Sequence, residues 1–285
     1  RVRAGACRRS VSWVIVEIVG LAAGGVTLSA RTWPGDGRPV LLVHGLSSNA
    51  RLWDEVAARL AADGHPVVAV DLRGHGASVD VPDPDGGPGP TRQAALDLAD
   101  VCADLGEPVV AGQSWGGNVV LQLAAERPGL VHGLALVDGG WLHLADRWPT
   151  AEAAWEVLAP PVFDGMKLGD LRDRLVGMHP GWSASAIDAT LANLHPDDPV
   201  RPWLTRERHR AIVTSMVEHR PRELYPLVRC RTLLLAALPG AGGRALVDEA
   251  AAVLPAAELV EFPGADHDLH AQHPERVAAL IGGLA

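Results

Sequence analysis

Apolar positions along this chain fall into short, nearly unbroken runs separated by stretches with helical spacing. The runs are Pro39–Val43, Pro66–Val70, Pro108–Gln113, Leu134–Asp138, Thr232–Ala237 and Glu258–Phe262. Each has strand length and is bounded by residues that stop regular structure. Between them, Asn49–Ala62 puts Leu52, Val56 and Leu60 on one helical face. Thr91 is the predicted N-cap of a helix that aligns Ala95, Leu98, Cys102 and Leu105. Trp115–Glu126, Ala245–Leu254 and Pro274–Ile281 read as further helices. The stretch 80–90, DVPDPDGGPGP, supports neither helix nor strand. Upstream, Ser12–Val19 and Val26–Trp33 read as two strands around a Gly24-Gly25 turn. Continuous apolar strands alternating with helices predict an α/β fold, a mostly parallel doubly wound sheet covered on both faces.

The rhythm breaks between 141 and 228. That stretch has no convincing strand run, several helical ones, and five of the nine tryptophans: Trp141, Trp148, Trp155, Trp182 and Trp203. It is expected to be a helical cap inserted before the last two strands, lying over the carboxyl edge of the sheet, where open α/β sheets bind ligands. The expected organisation is a core of 12–140 and 229–285, a cap of 141–228, and a flexible basic tail of 1–11.

Composition narrows the function classes. A chain of 285 residues, 48% hydrophobic and 21% charged, buries a large core without staples. The net charge of −9, with no basic patch beyond the first ten residues, argues against nucleic acid as partner. Three scattered cysteines make neither a disulfide framework nor a zinc cluster. Cys102 and Cys230 read as buried thiols, and Cys7 as part of the tail. The arginines before the apolar stretch Val11–Leu28 loosely mimic an export signal, but Glu17 interrupts that stretch and strands explain it better. No other segment is long and apolar enough to span a membrane, so a cytoplasmic protein is expected, with export the minor alternative. The 267–273 run, HDLHAQH, lacks the acidic partner of a helical zinc motif, and no phosphate loop or dinucleotide fingerprint occurs. Neither metal nor cofactor is expected.

The sharpest chemical signal is Gly112-Gln113-Ser114-Trp115-Gly116, set between a predicted strand and a predicted helix. In that context the pentad is a nucleophile elbow. A tight turn lifts a serine hydroxyl to the helix amino terminus, and small residues on either side let neighbouring backbone approach. A serine hydroxyl is a weak nucleophile without a base. Of twelve histidines, His267 is favoured because it follows the last strand and a Pro263-Gly264 turn. His270 and His273 are expected to be solvated surface rings, and His44 and His75 to support the site from strand ends.

Together with His44-Gly45-Leu46, the segment Asp71-Leu72-Arg73-Gly74-His75-Gly76-Ala77-Ser78 and Gly264-Ala265-Asp266-His267, the elbow resembles the α/β-hydrolase superfamily over about residues 12–285. The resemblance implies an oxyanion hole from the backbone N–H groups of Leu46 and Trp115. It also implies a third, acidic group. The usual place for that acid, the loop after the strand following the cap, reads Ala236-Ala237-Leu238-Pro239-Gly240-Ala241-Gly242-Gly243 and holds no carboxylate. Asp248 lies later, within a helix, and reads as a solvated residue. Some family members use the end of the strand before the cap, which here is Asp138. Its bland alternative is a loop cap at a strand end.

These readings converge on a serine hydrolase for a small, fairly apolar ester, lactone or thioester, with Ser114, His267 and Asp138 as triad. Trp141, Trp155, Phe163 and Met166 are candidates to line the substrate pocket, or else to form the cap's own core. Acyl transfer or cofactor-free perhydrolysis on the same site, and ligand binding on a hydrolase scaffold without catalysis, stay open at this stage.

Overall fold

The computed structural model describes residues 16–163, 165–196, 200–237 and 241–285. Residues 1–15, with Cys7, the basic tail and the start of the first predicted strand, lie outside the described residues.

Eight strands form one sheet: β1 (Glu17–Ala23), β2 (Val26–Trp33), β3 (Val40–Val43), β4 (Val67–Val70), β5 (Val109–Gln113), β6 (Gly133–Val137), β7 (Arg231–Ala236) and β8 (Glu258–Glu261). Their spatial order is β1-β2-β4-β3-β5-β6-β7-β8. The pairs β1·β2 and β2·β4 are antiparallel, and the rest are parallel. The four central strands β3 to β6 are buried at every position, as their unbroken apolar runs require. Edge strand β1 is mostly exposed or half-buried. It runs past the expected end at Val19, because the ladder with β2 continues from Glu17↔Thr32 up to Ala23↔Val26 at the glycine turn. Glu17 is solvated there.

Helices α1 (Asp54–Ala62), α2 (Pro90–Leu105) and α3 (Trp115–Glu126) connect the strands up to β6. Between β6 and β7 lie α4 (Ala151–Leu158), α5 (Leu168–Met178), α6 (Ala184–Leu191), α7 (Arg206–Glu218) and α8 (Pro221–Leu224). Then α9 (Ala241–Val253) joins β7 to β8, and α10 (Leu269–Gln272) and α11 (Pro274–Gly282) close the chain. Two large apolar clusters fill the two faces of the sheet. Leu41, Val43, Val70, Val110, Leu134 and Leu136 pack on α2 and α3, while Leu42, Ala69, Val109, Ala111 and Leu235 pack on α1 and α11. The alternation along each strand assigns consecutive residues to opposite layers.

Two expected helix starts move. Gly89, not Thr91, is the N-cap of α2, with Pro90 as its first residue. Pro suits that position because its missing N–H has no intrahelical partner to lose. The Thr91 hydroxyl instead accepts from Trp115 Nε1 at 3.0 Å and from the Ser215 hydroxyl at 2.7 Å, tying α2 to α3 and α7. Helix α9 starts at Ala241, four residues before the expected Ala245. Asp248 lies on its exposed side, paired with Arg244 one turn earlier at 2.8 Å.

Candidate active site

The site assembles at the carboxyl ends of β3, β5, β6, β7 and β8. Ser114 follows β5 and directly precedes α3, with φ 53° and ψ −122°. That is left-handed backbone, costly for any residue with a Cβ, and it persists only where the surroundings enforce it. Close approach does the enforcing. A Cβ on Gly116 would stand 2.4 Å from the His44 carbonyl oxygen, and one on Gly139 would stand 2.1 Å from the Ser114 carbonyl oxygen. The Ser114 N–H donates to the Val137 carbonyl at 3.0 Å, so the turn is also tied to the end of β6.

Asp138 and His267 are brought together. His267 Nδ1 lies 2.6 Å from Asp138 Oδ2. The carboxylate is fixed from its other side, where the Ala237 N–H donates to Oδ1 at 3.0 Å. The pairing of β6 with β7 makes this possible, since Asp138 N–H also donates to the Leu235 carbonyl at 2.7 Å. Asp138 itself has φ 44°. Burial works to lower the His267 pKa, but the Asp138 hydrogen bond and the charges of Asp138, Asp268 and Asp266 outweigh it and hold the imidazole above its ordinary value. Burial likewise raises the Asp268 carboxyl, with His267 opposing.

A cavity of about 200 Å³ is shared by Ser114, His267, Leu46, Asp268, His179 and Trp182. The loop after β3 forms one wall. Its Gly45 passes so close that a Cβ there would stand 3.0 Å from Ser114 Cβ. His44 secures this loop: the Leu72 N–H donates to Nε2 at 3.1 Å, and Nδ1 then donates to the Gly45 carbonyl at 2.8 Å. Asp71 accepts from the Ala50 and Ala77 N–H groups at 2.7 and 2.9 Å and holds the two loops together. Leu46 thus lines the cavity that Ser114 borders, while Trp115 contributes the first N–H of α3 and its ring is buried.

A second cavity of about 370 Å³ adjoins the first. The two share Ser47, Ser48, Thr190 and Asn193 as wall. Its lining is otherwise largely apolar and includes Phe163, Met166, Leu171 and Leu175 from the segment leading into α5 and from that helix. Of the four expected pocket residues, Phe163 and Met166 are here. Trp141 is instead buried in the core layer with α3, and Trp155 packs edge-on against His209. Neither lines the two cavities.

Several site features lack a sequence signal. Gln113 Nε2 donates to the His267 carbonyl at 3.2 Å, coupling the elbow to the histidine loop. Asp266 accepts from Trp182 Nε1 at 3.1 Å and lies 3.2 Å from His179 Nδ1, anchoring that loop to the turn between α5 and α6. His270, expected at the surface, is fully buried. Its ring lies 4.3 Å from that of Trp53, and neither ring nitrogen has a hydrogen-bond partner. Burial pushes its pKa down to about 3. The short turn α10, between the His267 loop and α11, folds this position inward. His273 stays exposed as expected. Cys102 and Cys230 are buried free thiols, their pKa values raised by burial to about 12 and about 11. Among the described residues, no group of three or more His, Cys, Asp or Glu is placed to hold a metal, and no helix is long and apolar enough to cross a membrane.

This architecture, a mostly parallel eight-stranded sheet with a serine at a strand-to-helix elbow and helices inserted before the last two strands, is that of an α/β hydrolase. The alpha/beta hydrolase family is matched over residues 40–280, and the chain belongs to that family. An esterase of Mycobacterium tuberculosis is 38% identical over 130 residues, covering 45% of this chain and 41% of that protein. A putative non-heme haloperoxidase of Mycobacterium phage D29 is 32% identical over 152 residues, 49% of this chain and 53% of its own length. The matches thus span about half, or less, of these curated relatives. The 2-(acetamidomethylene)succinate hydrolase of Mesorhizobium japonicum is 27% identical over 262 residues, covering 88% of this chain and 89% of that protein. A crystal structure of E-2-(acetamidomethylene)succinate hydrolase superposes with a TM-score of 0.75 at 24% identity, over 95% of this chain and 99% of that one, a likeness of fold.

Proposed function

We propose that this protein is a serine hydrolase that cleaves carboxylic esters through an acyl-serine intermediate. Ser114 is the nucleophile, His267 the base and Asp138 the acid, and the Leu46 and Trp115 N–H groups bind the oxyanion. Segment 141–228 acts as a cap over this site. The observation that carries the reading is the 2.6 Å pairing of His267 Nδ1 with Asp138, on the rim of the cavity into which Ser114 opens.

The steps follow from this arrangement. With its Nδ1 proton committed to Asp138, the neutral ring presents the Nε2 lone pair. Nε2 takes the Ser114 proton as Oγ bonds to the ester carbonyl carbon, and the carbonyl oxygen becomes an oxyanion facing the two N–H donors. The imidazolium then protonates the leaving alkoxide, and the acyl–Oγ bond remains. Water repeats the sequence: His267 takes its proton, hydroxide adds to the acyl carbon, and the acid departs as Oγ recovers its proton. Asp138 stabilises the imidazolium in both halves. The curated relatives described as an esterase and as a hydrolase support this class of reaction.

Incubation with a fluorophosphonate followed by peptide mass analysis tests the reading. One phosphonyl adduct on Ser114, absent after Ser114→Ala, is expected. Folded protein that takes up no adduct and turns over no p-nitrophenyl ester overturns it.

A further inference from the structure

The two adjoining cavities differ in chemistry, and of the proposed triad Ser114 and His267 border only the smaller. The smaller holds Ser114 and His267 together with Asp268, His179 and Trp182. The larger, about 370 Å³, is walled by Phe163, Met166, Leu171, Leu175, Leu194 and Leu204, and His267 is not part of it. Acyl transfer imposes a direction on any ester bound here. The leaving oxygen must face the imidazolium that protonates it, so the alcohol half lies in the polar chamber beside His267 and Asp268. The acyl substituent leaves the carbonyl carbon the other way, towards Ser47 and Ser48, which line both cavities.

From this juxtaposition we propose that the substrate's acyl half is a medium-length hydrocarbon chain housed in the apolar chamber, and that its alcohol half is small. The inference rests on the serine-esterase reading above and adds to it the substrate class and its orientation. Size sets the chain length. An apolar cavity of about 150 Å³ holds benzene, so at that density 370 Å³ holds roughly ten to fifteen carbons.

Two ester series separate the halves. In the first, the acyl group of an ethyl ester grows from acetyl to tetradecanoyl. In the second, the acyl group stays acetyl and the alcohol grows from ethyl to decyl. Each methylene moved from water into the apolar chamber is worth up to about fourfold in kcat/KM. At about half that energy, roughly twofold for each of the added methylenes, the first series is expected to rise on the order of a hundredfold between acetyl and octanoyl. It should level off near ten to twelve carbons, while the second series stays flat. Leu175→Trp and Met166→Trp, which plug the chamber from different positions, are each expected to lower the decanoyl-to-acetyl ratio of kcat/KM at least about tenfold. Because the ratio is taken on one protein, a change in folded fraction cancels. A flat acyl series, a rise in the alcohol series instead, or plug variants that lower both esters in step would overturn the inference while leaving the esterase reading intact. Failure to cleave any ester would overturn both.

Discussion

Asp138→Asn is the perturbation that isolates the acid's contribution. The substitution is isosteric, and asparagine tolerates the φ of 44° at this position better than other non-glycine residues. The surroundings dictate how the amide sits. The Ala237 N–H needs an acceptor where Oδ1 now stands, so the amide oxygen keeps that place and the NH₂ group faces His267 Nδ1. A donor then meets Nδ1, which must become an acceptor, and the ring proton moves to Nε2. That tautomer cannot take the Ser114 proton. Loss of the correct tautomer and of imidazolium stabilisation costs about 10³–10⁴ in rate, or about 4–5.5 kcal/mol of barrier.

The assay is kcat/KM on p-nitrophenyl butyrate from pH 5.5 to 9.5. His267 must be neutral to act as base, and its pKa is raised. The acidic limb of the parent protein is therefore expected to have its midpoint above about 6.5. In the variant both height and position fall, since the largest raising influence is gone. Stability gives the control. A histidine whose folded pKa is raised adds stability below the unfolded value and loses it as pH climbs through the folded one. Melts of the two proteins at pH 9 should nearly coincide. At pH 6 the variant should lose less than about 1 kcal/mol, because the imidazole is half exposed to solvent. A variant that keeps a tenth or more of parental activity, with an unmoved limb, would refute Asp138 as the acid.

Ser114→Gly should abolish turnover yet raise the unfolding free energy by about 1 kcal/mol, since glycine adopts φ 53° without strain; a fall in stability in urea titrations would contradict the strained elbow. Gly139→Ala drives a methyl group into the Ser114 backbone and should cost about 3 kcal/mol or more while displacing the elbow, seen as a joint loss of melting temperature and fluorophosphonate labelling. His75, His219 and His270 are buried, with pKa values lowered by desolvation to about 3, about 4 and about 3. They stay neutral in the folded protein while the unfolded chain takes up protons below about pH 6.5, so each should remove up to about 1.4 kcal/mol per pH unit as pH falls towards 4. His270→Leu should reduce that slope in unfolding titrations and leave stability at pH 8 equal or higher, because it removes two unpaired buried nitrogens.

Local chemistry alone wrote much of this protein. The unbroken apolar runs of β3 to β6 and the helix Trp115–Glu126 are set by short-range rules of burial and periodicity. The elbow, too, is a property of five consecutive residues between a strand and a helix. What one sequence cannot carry is which distant groups meet. Asp138 reaches His267 because β6, β7 and β8 lie side by side in the sheet, although 93 residues separate Val137 from Arg231. His270 is buried because α10 turns inward onto Trp53, although the polar residues His267, Asp268, Gln272 and His273 flank it in the sequence. Trp141 and Trp155 went to packing and Phe163 and Met166 to a cavity wall, a division that apolar character cannot make because burial energy is the same in either place. Periodicity fixes what each segment prefers, and the packing of the assembled sheet and helices decides what each side chain touches.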